Sequence, residues 1–264
     1  SPPRLLDDFA DLSSWHAGAS DGVRASIHAA QGIDGRALQL DFDLAGTAGY
    51  ALADRALPLD LPSNYEISFY VSADAPVNNF QFKLTDADGD NVWWFNRPNF
   101  TFSREWREIR IRKRQIAFAW GPASDHTLRH AARLEFVVAA GSGGGAGSVR
   151  FSRLAIRELP PVPATWPMPV ARASSDRSGA EPALAVDAQP ATAWRSDPGA
   201  GAAQSLTLDF GQQREFGGVV LHWLDHEFAS RYDVQVSDDG MQWRTLRSIG
   251  NGSGGNDVLA LPEA

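Results

Sequence analysis

Residues 85–95 read TDADGDNVWWF, and the fold turns on whether this is a calcium loop before a helix or a turn before a strand. Asp86, Asp88 and Asp90 occupy the first, third and fifth positions of an EF-hand loop. That loop also needs glycine at its sixth position and a bidentate glutamate at its twelfth, where this chain has Asn91 and Arg97. An arginine at the twelfth position would repel the ion. The next residues, NVWWF, are β-branched and aromatic, which suits a pleated strand. DADGD is therefore a β-turn, with aspartate as side-chain acceptor and glycine for a positive φ. Adjacent strand residues point to opposite faces, so one of Trp93 and Trp94 packs inside and the other presents a flat ring outward.

The same period-two alternation recurs in FQFKL at 80–84, SLTLDF at 205–210 and YDVQVS at 232–237. DHTLRHAARLEF at 125–136 is expected to carry one helical turn before the strand RLEFVVAA begins. The class is all-β, as two tandem antiparallel β-sandwiches. GSGGGAGS at 141–148 lies between RLEFVVAA and SVRFSRLAIREL, spaced as a long flexible hairpin loop. ELPPVPATWPMP at 158–169 holds five prolines, which cannot donate to a ladder and so end the sheet. The predicted domains are residues 1–159 and 168–264, with 160–167 as linker.

The 264-residue chain carries a formal net charge of −8 with both signs interleaved, so no basic face is offered to nucleic acid. No apolar run is long enough to span a membrane. The absence of cysteine excludes a disulfide framework and a thiol nucleophile. Nine tryptophans exceed what cores of this size ordinarily use and suggest a stacking surface as well.

From Ala171 onward the order of features is ASSD, ALAVDAQPATAWRSD, SLTLDFG, GGVVLHW and RYDVQVSDDGMQW. Asp187 with Thr192 and Trp194, Asp209-Phe210-Gly211, and Ser237 to Trp243 carry a resemblance to the F5/8 type C, or discoidin, family. It implies a jelly-roll sandwich with binding loops at one end. It also implies a structural Ca²⁺ held by the carbonyls of Leu184 and Gln189, the Asp187 carboxylate and the Thr192 hydroxyl. The alternative for Asp187 is a turn-capping role. A further glutamate ligand and the closing strands of the family do not precede Ala264, so this domain is expected to be truncated at its C-terminus. Trp194 and Trp243 fall at framework positions and are expected in the core. Arg177, His222 and His226, with Asp225 and Glu227, lie in loop-like segments where they are either sugar-binding candidates or ordinary solvated residues.

The outline LLDDFADLSSW, GIDGRALQLDFDL, YEISFYVSA, FQFKLTDADGDNVWWF, EWREIRI and SVRFSRLAIREL resembles the galactose-binding-like jelly rolls among carbohydrate-binding modules. In that frame the outward member of Trp93 and Trp94 stacks on a sugar, with Asn78, Asn79, Gln81 and Lys83 as hydrogen-bonding partners. The alternative is that residues 96–106 form a loop that covers the ring. Such modules often hold calcium through early and late carboxylates; Asp8 and Asp34 fit the early positions loosely, whereas Ser152 stands where the late aspartate is common.

No G-x-S-x-G, H-E-x-x-H or P-loop pattern occurs. The histidine pairs 126/130 and 222/226 do not lie on helices that would align them on one face. The expected function is non-catalytic binding of an oligo- or polysaccharide. The setting is the N-terminal part of a larger exported bacterial glycoside hydrolase or related glycan-active enzyme, periplasmic or extracellular, with its signal peptide removed and a catalytic domain downstream. The alternative is a pair of modules that brace that catalytic domain without binding sugar.

Overall fold

Alternation of buried and exposed side chains governs the computed structural model, which describes residues 2–261. The chain divides into two compact units, residues 1–162 and 163–264. Among its described residues, unit 1 has twelve strands: β1 (Arg4–Asp7), β2 (Trp15–Ala19), β3 (Arg24–Gln31), β4 (Arg36–Asp43), β5 (Tyr50–Asp60), β6 (Tyr65–Asp74), β7 (Asn78–Thr85), β8 (Val92–Phe100), β9 (Arg107–Arg112), β10 (Ala117–Trp120), β11 (His130–Ala139) and β12 (Ala146–Glu158). One antiparallel sheet runs β3-β4-β12-β6-β9 with β1 beside β12; the other runs β10-β8-β7-β11-β5-β2.

The core lies between the inner faces of these sheets, where burial of large apolar side chains supplies the dominant favourable term of folding. Phe69 and Phe151 from one sheet meet Phe80, Phe82 and Phe136 from the other. Phe136 and Phe151 stack with ring centroids 4.0 Å apart. Asp7 is buried beside this core, and its carboxylate accepts from the Trp15 indole at 2.9 Å and pairs with Arg55. A buried carboxylate is tolerable when it is bonded and charge-matched in this way.

The DADGD segment is the turn of the β7–β8 hairpin. Asp86 accepts from the backbone N–H of Gly89 at 3.0 Å, and Gly89 has φ +76°, a conformation that favours glycine.

Two expectations change. The 141–148 segment is neither a hairpin loop nor free-standing: β11 and β12 belong to different sheets, residues 140–145 cross between them, and 146–148 already belong to β12. Asn78 and Asn99 side chains accept from the backbone of Gly141 and Ser142, and a Cβ on Gly143 would sit 2.5 Å from the Val77 carbonyl. Residues 125–129 form no helical turn. Their backbone is used otherwise: the His126 carbonyl accepts from the Trp93 indole at 2.6 Å, the Arg129 carbonyl accepts from the Leu61 N–H, and the Asp125 side chain caps Thr127 locally.

Unit 2 is also antiparallel β, but its strands pair two by two: β13 (Val170–Ala173) with β14 (Leu206–Asp209), β15 (Gly218–His222) with β18 (Asn256–Ala260), and β16 (Tyr232–Val236) with β17 (Arg244–Ile249). Among its described residues, the buried apolar side chains are Ala180, Leu259 and Leu261. No helix among the described residues is long and apolar enough to cross a membrane.

Candidate binding face

Period two settles the tryptophan pair. Trp93 is buried at 6% exposure, packs edge-on against Phe118 and donates to the His126 carbonyl. Trp94 lies on the opposite face, the outer face of the second sheet, where its ring meets Trp120 edge to face at 5.5 Å. The expected covering loop begins as strand, since β8 continues to Phe100. Beyond β8 the chain turns to the other sheet, where the Ser103 carbonyl accepts from Ala73 and Arg104 pairs with Asp74.

Cross-strand register builds a continuous row on this face. Trp94 of β8 lies opposite Lys83 of β7, Lys83 opposite Glu135 of β11, and Glu135 opposite Asp54 of β5. Neighbours placed in this way interact directly. Lys83 is almost enclosed, with 11% of its side chain exposed. Its ammonium sits 5.2 Å from the Trp120 ring centre, 5.7 Å from that of Tyr50 and 4.0 Å from a Glu135 oxygen. Burial pushes the Lys83 pKa down, and the Glu135 charge opposes that shift. Asp54 is held by Arg133. In the next row Gln81 faces Asn96, whose Oδ1 is buried with no hydrogen-bond partner among the described residues. A buried acceptor left open in this way calls for a partner.

Not every residue singled out from the sequence reaches this face. Asn78 is fully buried, and its amide donates to the Gly144 carbonyl while its oxygen serves Gly141. It sits at the rim of the sheet, where the crossing segment needs those bonds. Asn79 is likewise committed, donating to Ala140 and accepting from the Asn99 backbone. Tyr50, Trp120 and Glu135 escaped the sequence reading because strands distant in the chain deliver them.

A cavity of about 490 Å³ opens beside the DADGD turn, lined by Asp60, Asp86, Asp88 and His130 among others. Its polar groups are largely spent: Asp60 pairs with His130 at 2.6 Å, and donation from the Asn91 amide holds the Asp86 carboxyl below the usual carboxylate range. Asp8 caps Ala10 and Asp34 pairs with Arg153, so those carboxylates do not converge. Ser152 instead donates to the Arg36 carbonyl.

In unit 2, Asp187 accepts from the Thr192 hydroxyl at 2.7 Å and from the Gln189 N–H at 2.9 Å, bonds that hold its carboxyl low. The Gln189 carbonyl lies 2.9 Å from the same hydroxyl. Three hard oxygens therefore cluster in the loop after the 3-10 turn Pro182–Ala185, the donor chemistry that Ca²⁺ takes. Among the described residues no group of three or more His, Cys, Asp or Glu side chains is placed for a metal. Any ion here would rely on the single carboxylate of Asp187 together with carbonyl and hydroxyl oxygens.

Of the other candidates, His222 pairs with Asn256 across its ladder and Arg177 bridges to Ala180. His226 lies in the turn closed by Leu224 and Glu227, and Glu227 pairs with Arg195. These side chains form no shared face comparable with that of unit 1. Trp194 is half-buried and donates to the Ser175 carbonyl, but Trp243, just before β17, is 45% exposed rather than in a core.

Residues 170–261 match the F5/8 type C domain. No curated protein matches the chain. Among solved structures it is similar to the family 11 carbohydrate-binding module of the cellulosomal cellulase Lic26A-Cel5E of Clostridium thermocellum. The identity is 19% and the TM-score 0.50, over 60% of this chain and 95% of that one. A structure of the family 11 module from Clostridium thermocellum in complex with a β-1,3-1,4-mixed-linked tetrasaccharide matches at 20% identity and a TM-score of 0.49, over 58% of this chain and 94% of that one. At this identity the likeness is one of fold, a carbohydrate-binding-module β-sandwich.

Proposed function

We propose that this chain binds carbohydrate and that the outer face of the second sheet of unit 1 is the site. The observation that carries the reading is the row Trp94–Lys83–Glu135–Asp54, walled by the rings of Trp120 and Tyr50. Pyranose rings offer apolar faces to aromatic planes and hydroxyls at their rims, and this row supplies both kinds of partner. The family 11 likeness and the F5/8 type C match support the reading. Titration of the intact chain against a panel of oligosaccharides tests it. Trp94→Ala should weaken the best ligand roughly 30-fold, the consequence of losing a hot spot of about 2 kcal/mol. Failure of every glycan to bind the folded chain rejects the site.

The role fits an accessory module that holds a glycan for a catalytic domain in a larger exported enzyme, as the cellulase context of the family 11 module suggests. The purified chain should then release no reducing sugar from any glycan it binds. In unit 2, Asp187, Gln189 and Thr192, with the Leu184 carbonyl, would hold a structural Ca²⁺ that braces the loop.

A further inference from the structure

Lys83 stands out among the charges of the sandwich. It is nearly buried, yet its ammonium makes no hydrogen bond to a described residue; its close neighbours are two ring faces and one carboxylate oxygen at 4.0 Å. That separation is too long for a direct hydrogen bond. It leaves three N–H donors on one side and an open carboxylate acceptor on the other, side by side on adjacent strands.

We propose that Lys83 and Glu135 act as one donor–acceptor pair that reads two adjacent hydroxyls of a single sugar residue. This rests on the binding face described above and assigns its specificity. One hydroxyl oxygen accepts from the ammonium and the other donates to the carboxylate, so both protein groups are completed by the same ring. The Tyr50 and Trp120 faces flank the cation from either side and fix where that ring sits.

The charges of the row also set a selectivity. Lys83 faces Glu135, and Arg133 is paired with Asp54, so the positive groups are matched within the protein. A sugar that brings its own carboxylate meets Glu135 and Asp54 with no spare cation, and like charges held close together repel. The pair therefore selects an uncharged sugar with free vicinal hydroxyls over a uronic acid.

Calorimetric titration of the full chain with a neutral gluco-configured tetrasaccharide and with a uronic-acid tetramer tests this. The wild type should bind the neutral ligand at least tenfold more tightly. Glu135→Gln, which keeps shape but removes charge, should weaken the neutral ligand about tenfold and narrow the discrimination against the uronate, because a charge-assisted hydrogen bond is lost. Lys83→Met should weaken both ligands. Equal or tighter binding of the uronate by the wild type overturns the diol pair while leaving the binding face intact, as does a Glu135→Gln chain with unchanged affinities. If neither tetramer nor any other glycan binds the wild type, the face itself is rejected and the pair with it.

Discussion

Unit 1 and unit 2 solve opposite halves of the same problem. Unit 1 closes two six-stranded sheets over a continuous aromatic core, whereas the strands of unit 2 pair two by two and leave Val220, Trp243 and Val258 at 49%, 45% and 76% exposure. Yet it is the thinly buried unit that carries the family signature, while the fully packed one is matched through its fold. The difference teaches that a recognisable motif records local turn chemistry, while a core records long-range register. In SDDGMQW, Asp239 accepts from the N–H groups of Met241 and Gln242, and the Ser237 hydroxyl accepts from Gly240. Those bonds span three residues or fewer and survive whatever packs above them.

The sharpest way to break this comparison is to cut a side chain out of each unit. Phe136 touches Trp15, Phe69, Phe82 and Phe151, so Phe136→Ala should cost about 3–5 kcal/mol in denaturant unfolding of unit 1. Val258→Ala, at a side chain already open to water, should stay within about 0.5 kcal/mol. A comparable loss from both substitutions would show that unit 2 has a core that these contacts do not reveal.

The tryptophan pair brings the contrast down to adjacent residues. Trp93→Ala removes a buried ring and should cost about 3–5 kcal/mol of stability. Trp94→Ala should leave the unfolding midpoint nearly unchanged while lowering glycan affinity. A large loss of stability from Trp94→Ala, with affinity per folded molecule preserved, would make that ring part of the scaffold.

That much of the site is legible in sequence because a strand has a period of two, so NVWWF had to send neighbouring rings to opposite faces. The turn before it was legible for the same local reason. Glu135, Tyr50 and Trp120 were not, since their approach to Lys83 depends on which of twelve strands pair and in what register. Asn78 shows the converse hazard. It opens β7 with the parity of Phe80 and Phe82, so alternation already turns it away from the face of Gln81 and Lys83, and the crossing segment uses its amide. The sheet order also defeated the glycine-rich segment, because composition speaks for a turn without saying whether its two strands share a sheet.

Calcium offers a means of moving one unit without the other. If Asp187, Gln189 and Thr192 hold the ion, Ca²⁺ at a hundred times its dissociation constant should stabilise unit 2 by about 2.7 kcal/mol. Asp187→Ala should abolish that gain, and unit 1 should unfold at the same denaturant concentration with Ca²⁺ or with chelator. A Ca²⁺ response that survives Asp187→Ala would place the ion elsewhere.

The smallest effect separates long-range burial from local bonding by proton titration. Tyr65, in the core of unit 1, has its phenol pushed up to about 12 by burial. Tyr232, in unit 2, is also raised to about 12, by burial first and then by donation to the Asp257 carboxylate at 2.6 Å. In both cases the native state favours the neutral phenol, so its contribution to stability is complete below the unfolded value near 10 and is lost as pH rises through about 12. Asp257→Ala deletes the acceptor and its charge but leaves the Tyr65 environment untouched. Followed by phenolate absorbance, the substitution should bring one phenol part of the way back toward its ordinary value and leave the other in place. Two phenols that still ionise together near 12 in the variant would mean that Tyr232, like Tyr65, is held by burial alone, and that unit 2 shields its interior better than its paired strands imply.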